Sequence, residues 1–285
     1  MVGKSQSGIW GQQRMSVGPE LTRSVFKGAT ALPAVGYPLM LSWRKGWIRP
    51  PQGIAEVRLK DGRTLRCDLA DSTQRTMALG LFEPAETRLV SELLQTGDTF
   101  VDVGAHIGWF TTTASRRVGD DGAVIACEPY PANAAALKEN IALNDARNVR
   151  LVEMALGSQP GQLGLAPAGD SGGVTALDWG QGERVTATVI TLDEVVAEVR
   201  AITLLKMDVE GWEPHVLRGG SEALRRTKYV LVEINKPALK KAGSSADEIY
   251  GLLRDASFTS FSPVAPRGMR RLLPQDQVFN VLAGR

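Results

Sequence analysis

The stretch Thr99-Phe-Val-Asp-Val-Gly-Ala-His-Ile-Gly108 limits more than any other what this chain can fold into. Its first five residues, Thr99 to Val103, form a short apolar, β-branched run that ends at a glycine, the pattern of a core strand in a parallel sheet. Gly104 and Gly108 permit a tight turn and a close approach of backbone to a ligand. The spacing predicts a helix from about Gly108 to Arg117, with its free N–H groups and positive end facing that ligand. Asp102 stands at the carboxyl end of the strand, and in open α/β sheets ligands bind at that edge.

A strand–glycine–helix turn serves NAD, FAD and S-adenosylmethionine (SAM) alike. Here His106 replaces the second glycine of the dinucleotide pattern G-x-G-x-x-G, and a bulky residue there disfavours a pyrophosphate. SAM has no phosphate, and it carries an ammonium that Asp102 can neutralise. Glu128 follows Gly108 by 20 residues at the end of a second apolar run, placed to accept hydrogen bonds from both ribose hydroxyls. That acid is common to NAD and SAM sites, so it supports a nucleoside cofactor without choosing one. Its plainer reading is a capping acid before Pro129.

The rest of the chain repeats the alternation. Strands are predicted at Ala123 to Cys127, Val149 to Met154, Ile202 to Met207, Tyr229 to Ile234, Phe258 to Phe261 and Val278 to Leu282. Helices are predicted at Pro84 to Leu94, Pro131 to Leu143, Thr191 to Val199 and Ala246 to Ala256. Such alternation means a doubly wound sheet with right-handed crossovers. Residues 155–190 break the rhythm and read as an inserted loop or hairpin returning to the sheet edge. Upstream, residues 54–69 read as a hairpin around Asp61-Gly62, a two-residue turn in which both residues take positive φ. Residues 1–53 form a basic, aromatic arm, and residues 54–285 the domain proper. The arm is expected to carry a short helix or two, packed on the domain or on a second subunit as a homodimer contact.

The second dense stretch is Leu204-Leu-Lys-Met-Asp-Val-Glu-Gly-Trp-Glu213. Lys206 and Asp208 lie two apart on a strand and so share a face, and Asp208 and Glu210 reach the same rim as Asp102. Charges entering a core strand are costly unless they are paired or functional. Glu233, ending the next strand, adds a carboxylate to that rim. The plainer reading is a structural Lys206–carboxylate pair with helix-capping acids.

Charge is uneven along the chain. Residues 1–66 hold eleven Lys/Arg against three Asp/Glu, and the remainder holds 22 against 28, so a basic segment precedes a mildly acidic one. Two cysteines, Cys67 and Cys127, make no disulfide framework, which points to a reducing cytoplasm. The apolar stretch Ala29 to Trp43 is short and broken by Pro33 and Pro38, so no membrane span is expected, and the charges before it argue against a signal peptide. Nucleic acid is not expected as a partner, although Trp43 and Trp47 flank Arg44 and Lys45 in a pattern that can stack on bases. From the residues alone, three classes stay open: a SAM-dependent enzyme, a nicotinamide-dependent oxidoreductase, and a non-enzymatic SAM-binding or scaffold protein.

Phe100-Val-Asp-Val-Gly-Ala-His-Ile-Gly, Glu128-Pro, Thr191-Leu-Asp, Leu205-Lys-Met-Asp-Val-Glu-Gly-Trp-Glu, Val216-Leu-Arg-Gly-Gly and Val232-Glu-Ile, in that order, resemble the FkbM-type SAM-dependent methyltransferases. The resemblance covers about residues 54 to 283. It implies a class I, Rossmann-like methyltransferase sheet of seven strands with the last antiparallel. It implies methyl transfer from SAM to a hydroxyl of a small molecule, often a secondary metabolite such as a polyketide or glycoside. Carried over by position, Asp102, Gly104, Ala105, His106 and Gly108 cradle the methionine part, Glu128 and Pro129 hold the ribose, Met154 and Ala155 flank the adenine, and Asp208 faces the ammonium or the acceptor. Asp208, Glu210 and His106 are the candidates for removing the acceptor's proton. A divalent cation held by these carboxylates and Asn235 is conceivable but not favoured, and no metal ligand is assigned.

Overall fold

The computed structural model describes residues 33–45, 49–167, 174–175, 184–264 and 277–285. In chain order the elements are α1 (Pro33–Arg44), β1 (Ile54–Arg58), β2 (Thr64–Asp68), α2 (Ser72–Ala78), α3 (Pro84–Leu93), β3 (Thr99–Val103), α4 (Trp109–Val118), β4 (Ala123–Cys127), α5 (Pro131–Leu143), β5 (Val149–Val152), β6 (Ala155–Leu156), β7 (Gly161–Pro167), β8 (Val174–Thr175), β9 (Val185–Ile190), α6 (Leu192–Val195), β10 (Ile202–Met207), α7 (Glu213–Arg218), α8 (Ser221–Arg225), β11 (Thr227–Asn235), α9 (Lys236–Lys241), α10 (Ala246–Asp255), β12 (Ser260–Val264) and β13 (Val278–Gly284).

Seven strands form the main sheet in the order β12-β13-β11-β10-β3-β4-β5. The pairs from β5 through β11 are parallel, and β13 runs antiparallel to both its neighbours. The expected seven strands with an antiparallel last strand are therefore present. β3, β4, β10 and α5 also begin and end where the sequence placed them. The reason is composition. These strands are short, mostly apolar runs buried on both faces, and Leu204, Leu205, Val101 and Val124 are fully buried. Chain order reverses between β3 and β10, and the crevice beyond their carboxyl ends is where an open α/β sheet binds its ligand.

Four expectations are corrected. The Asp61-Gly62 turn has positive φ only at Gly62 (88°). Gly62 N donates to Leu59 O and Leu59 N to Arg63 O, so the hairpin closes by a longer loop with glycine in its left-handed position. The predicted strand Val149 to Met154 ends at Val152, because the chain leaves the main sheet there to make β6. The 155–190 insertion does not return to the sheet edge. Among the described residues it builds a separate small sheet of order β6-β9-β7-β8, whose own apolar cluster contains Ala155, Leu165, Ala187 and Val189. The predicted Thr191 helix is also shorter, one turn held by a reciprocal capping box between Thr191 and Glu194.

Of the arm, α1 lies within the described residues, and residues 1–32, with the expectation of any further helix there, lie outside them. Leu39, Met40 and Trp43 pack against the apolar cluster that contains Met77, Trp109 and Phe110. No helix among the described residues is long and apolar enough to cross a membrane.

Candidate active site

A cavity of about 260 Å³ opens at the carboxyl edge of the sheet, over the β3–β10 switch point. One side is walled by Ala105, Glu128, Pro129, Met154 and Ala155, the other by Glu83, Lys206, Asp208, Glu210 and Glu233, with Trp109, Phe110 and Trp212 between them.

The turn after β3 is built from left-handed residues: Gly104 has φ 84°, His106 51° and Gly108 93°. His106 is a bulky residue in that region, a strain of the kind that concentrates at functional sites. Gly104 and His106 line the cavity. The glycines, however, serve the protein's own packing first. A Cβ on Gly104 would stand 2.0 Å from the Asp208 carbonyl oxygen, and one on Gly108 would stand 2.5 Å from the Leu137 side chain. The close approach inferred from the sequence is thus between the turn after β3 and the turn after β10.

Asp102 is not in the cavity wall. It lies beneath the turn, 1 % exposed, where Thr111 Oγ1 of α4 donates to its Oδ2 at 2.6 Å. It pairs in register with Lys206 on β10, and its other oxygen has no hydrogen-bond partner among the described residues. Burial raises its pKa, against the pull of Lys206 and the Thr111 hydroxyl.

Glu128 does reach the wall. Its Oε2 accepts from His106 N at 2.8 Å and its Oε1 from Tyr130 N at 3.0 Å. The Asn133 side chain donates to it as well, and of the four lone-pair sites of the carboxylate one remains for a further donor. Burial pushes its pKa up to about 7, although those two backbone donors pull it down. Ala155 is buried beside it, and Met154 is 38 % exposed at the rim.

The Lys206–Glu213 block divides its labour. Glu213 is fully buried and clamps its own loop, accepting from Val209 N at 3.0 Å and Gly211 N at 3.2 Å. Lys206 is 3 % exposed, lies 3.4 Å from Asp208 Oδ2 and stands 4.6 Å over the Phe110 ring. Asp208 and Glu210 face the cavity. Glu210 takes a left-handed φ of 53°, and Asn235 Nδ2 donates to it at 3.2 Å. Burial and then Asp208 push Glu210 up to about 7. His215 is outside the cavity wall, stacked on Trp212 at 3.8 Å.

Two acids sharpen the picture. Glu233 was read from the sequence only as a further rim carboxylate, and Glu83 had no site role. Glu83, Asp208 and Glu233 each offer an oxygen within 4.8 Å of the others'. Burial pushes Glu83 up to about 8 against the attraction of Lys206. Burial, then Asp208, Glu210 and Glu83, push Glu233 up to about 10. Lys206 is displaced upward in turn, because the surrounding carboxylates outweigh its burial. Glu83 enters the site because the chain turns through a left-handed residue (φ 38°) just before Pro84 opens α3. The sequence signal was that Phe82-Glu83-Pro84 resembles the corresponding segment of the FkbM-type family, which by itself gives Glu83 no role.

The strand order, the antiparallel β13 and a ligand crevice flanked by Glu128 and Asp208 define a class I SAM-dependent methyltransferase. The model of the methyltransferase FkbM domain matches residues 102–260, and the chain belongs to that family. Among its relatives are the hexuronic acid methyltransferase AglP of Haloferax volcanii, 30% identical over 175 residues, covering 61% of this chain and 68% of that one. The 31-O-demethyl-FK506 methyltransferase FkbM of Streptomyces tacrolimicus is 31% identical over 200 residues, covering 58% and 74%. The 2-O-methyltransferase NoeI of Sinorhizobium fredii is 26% identical over 239 residues, covering 73% and 94%. The nicotinamide reading is thereby set aside.

Proposed function

We propose that this protein transfers the methyl group of SAM to a hydroxyl oxygen of a small molecule, a secondary metabolite such as a polyketide or glycoside. The observation that carries the proposal is one cavity with two chemically distinct walls. Glu128 retains acceptor capacity for ribose hydroxyls, with Met154 and Ala155 beside it as an apolar flank for an adenine. The opposite wall is rich in carboxylates, which suits a cofactor bearing an ammonium and a sulfonium. The residues present therefore fit SAM. Relatives that act on FK506 precursors and at a 2-O position support a hydroxyl acceptor.

When bound, SAM supplies an electrophilic methyl group. The protein's share is alignment and proton removal. Glu210 is the base we assign, with a pKa near neutrality and a carboxylate fixed by Asn235. Asp208 keeps Lys206 charged and faces the same space, and His106 borders it from the cofactor turn. Asp102 acts through Lys206 and Thr111, beneath the turn. We assign no metal to the reaction, although Glu83, Asp208 and Glu233 lie close enough together to hold a cation, and the EDTA arm of the test below decides between the two.

The arm up to residue 53 covers the site or joins two subunits. The packing of α1 on the cluster that holds Trp109 and Phe110 supports the first, since those two side chains also border the cavity. A cytoplasmic setting is supported by two buried, unpaired cysteines.

The test is transfer of labelled methyl from SAM to a panel of hydroxylated metabolites, with and without EDTA, for the full chain and for a chain lacking residues 1–53. Methyl incorporation into a hydroxyl, resistant to EDTA, is the expected result. Incorporation into nitrogen or carbon acceptors alone would overturn it.

A further inference from the structure

Among the described residues, the inner wall of the cavity brings four carboxyl groups to one ammonium, that of Lys206. Glu83, Asp208 and Glu233 have oxygens within 4.8 Å of one another, and Glu210 borders the same space. Every element around Glu233 contributes. β10 brings Lys206 and, past its end, Asp208 and Glu210. The turn before α3 brings Glu83, and α3 itself brings Glu86, which accepts from Asn280 Nδ2 at 3.1 Å. Asn280 of β13 is Glu233's register partner and is neutral, and Asp102 lies on β3 beneath Lys206. Lys236, beyond the end of β11, stands over the Phe279 ring. Glu83 Oε2 is enclosed at this wall with no hydrogen-bond partner among the described residues. Like charges at such spacing, facing a single lysine, cannot all ionise while the cavity lacks a cation.

SAM and its demethylated product, S-adenosylhomocysteine (SAH), differ at one point that this wall can register, the positive charge on sulfur. We propose that Glu83, Asp208 and Glu233 sense that charge. Glu83 and Glu233 hold a proton between them while no sulfonium is in the cavity, with Asp208 as the like charge beside them, and they release it to solvent when SAM binds. The inference rests on the cofactor reading above and adds to it a means of telling substrate cofactor from product.

The charge balances over a turnover. The carbon–sulfur bond breaks with its electron pair left on sulfur, so the cavity loses one positive charge. The acceptor's O–H bond breaks as the carbon–oxygen bond forms, and its proton is retained through Glu210 by the carboxylate wall. The wall therefore ends protonated, the state it holds with no sulfonium present. The raised pKa values of Glu83 and Glu233 agree in sign, since an arriving cation favours the ionised form of a carboxyl that burial and like charges keep neutral.

The experiment is calorimetric titration of the full-length protein with SAM and, separately, with SAH, at pH 7.5 with EDTA present, in two buffers of different ionisation enthalpy. SAM is expected to release about one proton more than SAH. Glu233→Gln and Glu83→Gln, in folded protein that still binds both ligands, are each expected to cut that excess by roughly half or more. Should one variant fail to fold, the other carries the comparison. An excess below about a fifth of a proton in the wild type, or an excess intact in the folded variants, overturns the inference. Binding of SAH without an excess proton for SAM overturns this inference alone. Binding of neither overturns the cofactor reading with it.

Discussion

Glu128 and Glu233 each stand at the carboxyl end of a sheet strand, and both hold their protons more tightly than an ordinary glutamate. Their company is opposite. Glu128 is surrounded by donors, two backbone N–H groups and the Asn133 side chain, which favour the ionised form over the neutral acid, so its pKa settles near 7. Glu233 is surrounded by other acids, with Lys206 alone to offset them, so its pKa climbs to about 10. Burial is the first cause in both; the neighbours set the difference. The Glu128 wall is satisfied by donors that are already in place, whereas the carboxylate wall is held under electrostatic tension that a positively charged ligand would relieve.

The sharpest way to break this comparison is to remove charge from the acceptor wall. Glu210→Gln preserves size and the Asn235 contact but not the base. Turnover on the true acceptor is expected to fall by about 10²–10⁴-fold with SAM affinity little changed, the usual worth of a general base. Near-normal turnover in steady-state assays would make Glu210 structural. EDTA is expected to leave the wild type active, and a loss restored by magnesium would give the role to a metal.

On the cofactor wall the expected loss is smaller and falls on binding. Glu128→Ala removes an acceptor of charge-assisted hydrogen bonds and should weaken SAM by about 1.5–3 kcal/mol, roughly ten- to a hundredfold in Kd. Circular dichroism should show the fold intact. Equal SAM affinity in wild type and variant would detach Glu128 from the ribose.

A third test reads the tension through stability. Glu233 and Glu83 titrate above their unfolded value, so between the ordinary glutamate range and pH 8–10 the unfolded chain binds fewer protons than the folded one. Stability therefore falls as pH rises through that window. The cofactor-free protein should lose roughly 2–6 °C in Tm between pH 6 and 9, and Glu233→Gln should flatten the slope. A Tm that rises over this range would contradict the charge accounting.

The smallest effect is expected at the rim. Met154 is part-exposed, so Met154→Ala should cost SAM binding about 1 kcal/mol, near fivefold in Kd, with the acceptor's KM unmoved. A change in KM instead would shift Met154 to the acceptor's side.

The sheet and half of this site were legible because local pattern encodes them. Runs such as Ile202 to Met207 and Ala123 to Cys127 bury both faces and admit no other reading, and Glu128 and Asp208 follow such runs directly. What escaped was set by distant partners. Asp102 was expected against the ligand, but the Thr111 hydroxyl and Lys206 draw it beneath the turn. Glu83 is far in sequence from Asp208, and only a left-handed residue before Pro84 brings the two together. The insertion alternates like an edge strand, yet β9 finds its partners in β6 and β7.

Gly104 has no room for even a methyl group, because the Asp208 carbonyl fills the space where one would go. The two loops that flank the crevice are therefore one mechanical unit. An enzyme of this build is not free to acquire a new acceptor by remodelling the loop after β10, since any shift there is transmitted to the cofactor's turn. Substrate range has to diversify at the periphery, through the small insertion sheet and the segment that precedes the domain. Libraries for altering specificity belong at those two places, and insertions or deletions within residues 208–211 should return mostly variants that no longer hold the cofactor.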